Sequence, residues 1–219
     1  MKVYGSAISS VTQKVLMVFA EKGQEPELVE VDPLKGEDKA PEHLARQPFG
    51  EIPVLDDDGF VLYESRAIIR YLDQRLPGPS LTPADLRARG LMEQWISVEQ
   101  CEVSGPVWEI VRAGPVYDIL RASDAGGLYP PPPQDAGAAA RAHLERAFDI
   151  VDTALATQEF LAGAEFSLAE CTWLPYLNYL FASRHGHLVT DRPNLAAWWQ
   201  RVSTRPTWQR VGRVLERAN

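Results

Sequence analysis

The chain has 219 residues, 45% of them hydrophobic, and a formal net charge of −8, enough apolar content for one large domain or two modest ones. The acidic balance argues against a nucleic-acid or anionic-membrane partner and favours a small molecule or another protein. Cys101 and Cys171 stand far apart outside any C-x-x-C pattern, no apolar run approaches the ~20 residues that span a bilayer, and MKVYGS lacks signal-peptide regions, so a reducing cytoplasm is the expected setting.

KVYG at residues 2–5 predicts a first strand. In SSVTQKVLMVFAEKG, Val11, Val15, Leu16, Val18 and Phe19 recur at helical spacing until Gly23 supplies a stop. PELVEVD alternates Leu28, Val29 and Val31 with acids and predicts a second strand, which makes the opening β-α-β. APEHLARQPFG predicts a short helix ended by Pro48 and Gly50. PVLDDDGFVLYES predicts a hairpin, because two apolar runs flank an Asp-Asp-Asp-Gly turn. SRAIIRYLDQRL carries Ile68, Ile69, Tyr71 and Leu72 on a helical stripe with Ser65 as N-cap.

The order βαβαββα is a small α/β domain over residues 1–76, and the proline- and glycine-dense PGPSLTP at 77–83 is an interdomain linker. From residue 84 to 219 the pattern is all-α, with helices expected near 83–112, 136–157, 167–183, 194–203 and 206–217. DAGGLYPPPPQDAG interrupts them; Pro130–Pro133 cannot be helix interior and predict an extended surface loop, read either as a stiff connection or as a proline-recognition ligand.

Two serines precede the first helix. Ser10-Val11-Thr12-Gln13 matches a capping box, so Ser10 is expected to cap, which leaves Ser9 beside the positive end of the helix dipole. A nucleophilic serine needs a general base, and no His or Lys stands in a recognisable triad or G-x-S-x-G arrangement. A hydroxyl that donates to a bound anion needs none, and a thiol held there ionises more readily because only its thiolate is stabilised.

A second candidate region joins FGEIPVL to LYESRAI. Pro53, after a turn and before a strand, is a place for a cis peptide, which would expose the Ile52 backbone as an edge able to pair with a peptide-like ligand. Glu64 and Ser65 at the next helix start either cap that helix or receive the ammonium and carboxylate of an α-amino acid end. His185-Gly186-His187 lacks a third ligand nearby in sequence and reads as a surface turn, so no metal is expected.

KVYG…SxxTxKVL at 2–16, GEDKAPEHLARQPFGEIPVL at 36–55, LYESRAIIRYL at 62–72, EQWISVE at 93–99 and FLAGAEFSLAECTWLPYLNYLF at 160–181 together resemble a glutathione transferase, most closely the phi class. The resemblance covers essentially the whole chain. It implies a thioredoxin-like domain followed by a helical bundle, with reduced glutathione as co-substrate. Ser9 would be the thiol-activating hydroxyl, Ile52 before cis Pro53 would pair with the cysteinyl backbone, Glu64 and Ser65 would hold the γ-glutamyl end, and Lys39 would contact the glycine carboxylate. Asp38 stands where the family commonly has His, and Glu51 where it commonly has Gln, so both place acids near an anionic ligand. Trp173 stands where a histidine is common, a packing change, and Ser167-Leu168-Ala169-Glu170 keeps a capping box with Glu in place of the family's Asp.

The resemblance also implies a homodimer in which Phe49 inserts between helices of a second subunit, where burying one Phe is worth roughly 1.5–3 kcal/mol. A small hydrophobic electrophile would lie between the domains opposite Ser9, lined by candidates Val11, Leu34, Trp108, Val111, Arg112 and Tyr117. The expected reaction is conjugation of the glutathione thiolate. Alternatives are a glutathione-dependent peroxidase using the same site and a non-catalytic carrier or assembly protein, the latter favoured by Asp38 and Glu51.

Overall fold

The computed structural model describes residues 1–114, 121–122 and 135–212, so Tyr117 and Pro130–Pro133 lie outside the described residues. The first part is a four-stranded mixed sheet in the order β2-β1-β3-β4, formed by β1 (Lys2–Gly5), β2 (Glu27–Glu30), β3 (Val54–Asp57) and β4 (Phe60–Tyr63). β1 runs parallel to β2 and antiparallel to β3, and β3 pairs antiparallel with β4. The expected βαβ opening and hairpin are both present. Asp58 and Gly59, at φ values of 53° and 92°, make the tight hairpin turn, and Gly59 donates its amide to Asp56 Oδ1 at 2.7 Å.

Helices α1 (Ser10–Glu21) and α3 (Ser65–Arg75) pack together, and their apolar stripes, including Val15, Val18, Phe19, Ile68, Ile69 and Leu72, are fully or almost fully buried with Val3 and Leu55 of the sheet. Gly5 permits close approach of α1: a Cβ there would stand 2.6 Å from Thr12 Oγ1. The short helix α2 (Pro41–Leu44) follows two 3₁₀ turns, Pro33–Lys35 and Glu37–Lys39, on the way from β2 to β3.

The remaining elements are helical: α4 (Leu86–Val98), α5 (Ser104–Arg112), α6 (Ala136–Leu155), α7 (Leu168–Ala182), α8 (His187–Thr190), α9 (Pro193–Ser203) and α10 (Pro206–Gly212). One expectation is corrected. The single helix expected over 83–112 starts at Leu86 and is divided by a π turn at Glu99–Val103, which buries the Glu99 carboxylate in the core where cations of α1 and α3 meet it. The surface turn expected at His185–His187 leads directly into α8. Within 206–217, the described residues form α10 up to Gly212.

α7 is the axis of the helical part. Leu168, Ala169, Trp173, Leu174, Leu177 and Leu180 are fully buried, and the helix packs on α1, α4 and α5. Its start forms the expected capping box between Ser167 and Glu170. Trp173 fills the core edge-on to Trp95 at 6.0 Å between centroids and donates Nε1–H to the Trp95 carbonyl at 2.9 Å, so the indole brings its own polar partner. Among the described residues no helix is long and apolar enough to cross a membrane.

Candidate functional site

Sheet register gathers the candidate residues at one end of the first part. Tyr4 of β1 pairs with Val54 of β3, which pairs with Tyr63 of β4, and Gly5 pairs with Glu30 of β2. The chain leaving β1 reaches Ser9, the chain entering β3 passes Ile52–Pro53, and the chain leaving β4 reaches Glu64–Ser65. The chain leaving β2 leads to Asp38 and Lys39. Four segments separated in sequence therefore share one sheet edge.

Ser9, not Ser10, is the N-cap of α1. It is extended, with φ −71° and ψ 127°, and its side chain makes no capping bond. The expected Ser10/Gln13 box does not form, because Ser10 is already helical, the Gln13 amide is satisfied by the Ser9 carbonyl at 2.8 Å, and the Gln13 side chain donates instead to the Ala7 carbonyl at 3.0 Å. Ser9 N donates to Ser6 O at 3.0 Å, and Tyr179 from α7 donates its hydroxyl to the Ile8 carbonyl at 2.6 Å. The backbone on both sides of Ser9 is thus held while its half-buried hydroxyl is left unspent by the helix. The amides of the first turn lack intrahelical acceptors and carry the positive end of the dipole.

The Ile52–Pro53 bond is cis, and Ile52 is half-buried just before the β3 ladder begins at Val54. Glu64 is the N-cap of α3 at φ 71° and ψ 106°, a left-handed backbone unusual for a residue with a side chain, and its carbonyl accepts the amides of Ala67 and Ile68 at 2.9 Å each. Its carboxylate makes no cap bond and is exposed, while Ser65, the first helical residue, is buried.

Lys39 lies across Gly50. Its ammonium donates to the Gly50 carbonyl and faces Phe49 O at 3.5 Å, Asp38 Oδ2 at 3.4 Å and Glu51 Oε1 at 3.7 Å. Gly50, at φ 65°, is required here because a Cβ would stand 2.7 Å from Lys39 Cδ. His43, buried, donates Nε2–H to the Glu51 carbonyl at 2.8 Å and fixes the backbone beside the cis bond.

Behind the two helix starts lies a charge cluster that reading the sequence did not single out. Lys14 of α1, four residues from Ser10, reaches Glu99 Oε2 at 3.0 Å, and Arg66, next to Ser65, holds the same carboxylate in a fork. The Lys14 ammonium also stands 4.6 Å from the centre of the Tyr176 ring. Burial is the main cause that lowers the Lys14 pKa to about 8, opposed by Glu99. A signal was present: Lys14 stands on the apolar stripe of Val11 and Val18, where a cation requires a buried partner.

Of the electrophile candidates, Val11 and Leu34 are half-buried, Arg112 donates to Glu109 Oε1 at 2.8 Å, and Trp108 is 36% exposed on α5. Val111 is 2% exposed and belongs to the helical core, so it packs inside the helical part and does not line an open surface. Two shallow cavities of about 350 and 430 Å³ lie in the helical part and contain none of the candidate residues. Phe49 is 68% exposed, with its ring edge-on to Tyr63 at 6.2 Å.

A thioredoxin-like βαβαββα layer followed by helices, with a serine at the first helix start and a cis proline before the third strand, is the architecture of a glutathione transferase. The chain matches the family description "Glutathione S-transferase, N-terminal domain" over residues 3–80 and "Glutathione S-transferase, C-terminal domain" over residues 121–206. It belongs to the glutathione S-transferase family. It is 34% identical to glutathione S-transferase F10 of Arabidopsis thaliana, over 95% of this chain and 94% of that one. Among solved structures it is similar to glutathione transferase F7 of Populus trichocarpa, with a TM-score of 0.88, 33% identity and 98% of each chain covered. It is also similar to glutathione S-transferase I from maize in complex with an atrazine glutathione conjugate, with a TM-score of 0.86, 26% identity, and 100% of this chain and 99% of that chain covered.

Proposed function

We propose that this protein is a glutathione transferase that ionises the thiol of reduced glutathione at Ser9 and conjugates it to a small hydrophobic electrophile. The observation that carries the proposal is the Ser9 hydroxyl, which stands at the N-terminus of α1 without a capping bond. An N-cap serine usually spends its oxygen on the helix. Here it remains able to donate a hydrogen bond to a sulfur anion, and the first turn of α1 adds the favourable end of its dipole. Both stabilise thiolate over thiol, so the thiol pKa falls.

In this reading Glu64 receives the ammonium of the γ-glutamyl group, and the Ser65 hydroxyl with the α3 amides receives its carboxylate. The Ile52 backbone, before cis Pro53, aligns the cysteinyl residue, and Lys39 faces the glycyl end. The thiolate then attacks an electrophilic carbon held against Val11, Leu34, Arg112 and Trp108. A C–S bond forms as a leaving group departs with its electron pair, or as an activated double bond takes up a proton from water. The maize relative bound to an atrazine glutathione conjugate supports a site of this kind. Phe49 forms a homodimer contact.

The test is an ultraviolet difference titration of glutathione bound to the protein. A thiolate band at neutral pH supports the proposal. Binding by calorimetry without that band points instead to a carrier.

A further inference from the structure

We infer that Tyr179 is a positioning residue for the thiol-activating serine: by donating to the Ile8 carbonyl, the helical part of the chain sets the direction in which Ser9 presents its hydroxyl. The inference rests on the reading of Ser9 given above and assigns a role in it to a side chain 171 residues from Ile8.

The segment between β1 and α1 is short, and each of its carbonyls has a donor. Ser6 O takes the Ser9 amide at 3.0 Å, Ala7 O the Gln13 side chain at 3.0 Å and Ser9 O the Gln13 amide at 2.8 Å, all from this segment or the first turn of α1. The Ile8 carbonyl is held differently, by the Tyr179 hydroxyl of α7 at 2.6 Å. That carbonyl and the Ser9 amide belong to one planar peptide unit. Tyr179 pins its oxygen and Ser6 its nitrogen, so the plane resists rotation, and the Ser9 φ of −71° and the direction of the Ser9 Cα–Cβ bond are held with it. The Ile8 side chain, 39% exposed, adds little anchorage of its own.

The clamp is rigid at its far end. α7 is seated by Leu174, Leu177 and Leu180, all fully buried, and one turn before Tyr179 the Tyr176 ring lies 4.6 Å from the Lys14 ammonium, itself bound to Glu99 at 3.0 Å. Burial pushes the Tyr179 hydroxyl up to about 12, against a backbone hydrogen bond from Ser10, so it remains a protonated donor throughout the range in which a thiol titrates. With its proton committed to Ile8, Tyr179 acts on the sulfur through Ser9.

The experiment is a double-mutant cycle with Tyr179→Phe, Ser9→Ala and the pair, reading kcat/KM for a chromogenic electrophile and the pKa of the bound glutathione thiol from its ultraviolet thiolate band. Tyr179→Phe keeps the ring and removes only the donor. With Ser9 present it should lower kcat/KM about tenfold on the acidic limb of the pH profile and raise the thiol pKa by about 1, while KM for glutathione stays within about twofold. In the Ser9→Ala background the same substitution should change neither the rate nor the thiol pKa. Equal losses in both backgrounds overturn the inference and assign Tyr179 to the packing of α7 or to a direct bond with the sulfur. A rate and thiol pKa unmoved by Tyr179→Phe overturn it as well. If the unaltered protein shows the thiolate band on bound glutathione, the functional reading survives either failure; if it does not, both fall.

Discussion

The guanidinium of Arg66 and the carboxylate of Glu99 meet in a fork, Nε to Oε2 and Nη2 to Oε1 both at 3.0 Å, and Lys14 Nζ reaches Oε2 from the other side at 3.0 Å. Arg66 adjoins Ser65 at the start of α3, Lys14 lies on α1 behind Ser9, and Glu99 comes from the π turn of the helical part. One buried carboxylate thus ties together the two helices whose starts frame the candidate site. Lys14 and Glu99 side chains are both fully buried.

Removing that carboxylate strands two cations. Glu99→Ala should cost about 3–5 kcal/mol in urea unfolding, the penalty of leaving a buried charge unpaired.

The pH dependence follows from Lys14. Its pKa, lowered chiefly by burial, falls from 10.5 to about 8 in the folded protein. Between those two values the unfolded chain binds more protons than the native one, so this group's contribution to stability rises with pH across that window. The difference in unfolding free energy between the unaltered protein and Lys14→Met should therefore climb from pH 8 toward pH 10.5; a flat difference would remove Lys14 from the account.

Ser9 and Ser10 separate activity from structure. Since Ser9 makes no cap bond, Ser9→Ala should alter stability by no more than about 0.5 kcal/mol while lowering kcat/KM for conjugation on the order of 100- to 1,000-fold, as for loss of one anion-stabilising donor. Ser10→Ala should retain conjugation. Kinetics with a chromogenic electrophile beside thermal unfolding distinguishes them, and equal activity loss in both variants would contradict the assignment.

Glu170 holds the start of α7. Its carboxylate accepts the Leu161 amide at 2.7 Å, the Ser167 amide at 2.9 Å and the Ser167 hydroxyl at 2.8 Å. Glu170→Ala leaves buried donors without acceptors, so a loss of about 3 kcal/mol or more is expected in equilibrium unfolding.

Phe49 tests the dimer. Its ring is 68% exposed in the single chain, and Phe49→Ser should shift the protein toward monomer in light scattering at dilute concentration. An unchanged mass would refute the role of Phe49 in a subunit contact.

Strands, hairpin and most helices were legible in the sequence because each follows from short-range patterns: apolar residues set between acids in ELVE, an Asp-Gly turn between apolar runs, and the i, i+3, i+4 stripes of α1 and α3. The capping box at Ser167 and Glu170 was legible for the same reason, since both partners lie within one turn. The cap of α1 was misread by one residue. Two adjacent serines offer equivalent hydroxyls, and the choice between them was made by the Ser9-to-Ser6 turn and by Tyr179, 171 residues away in sequence, holding Ile8.

Local pattern therefore determined which segments become strands and helices and singled out Ser9, Ile52, Glu64 and Ser65 as candidates, whereas Lys39 came only from the resemblance to the family. Tertiary structure decided which of those groups remain free to act. It left the Ser9 hydroxyl unspent, drew Asp38 and Glu51 onto Lys39, and opened a π turn so that Glu99 could meet Lys14 and Arg66. The physical reason is that backbone propensity is set by neighbours in the chain, whereas the state of a charge or hydroxyl is set by whatever distant groups packing brings within a few ångströms.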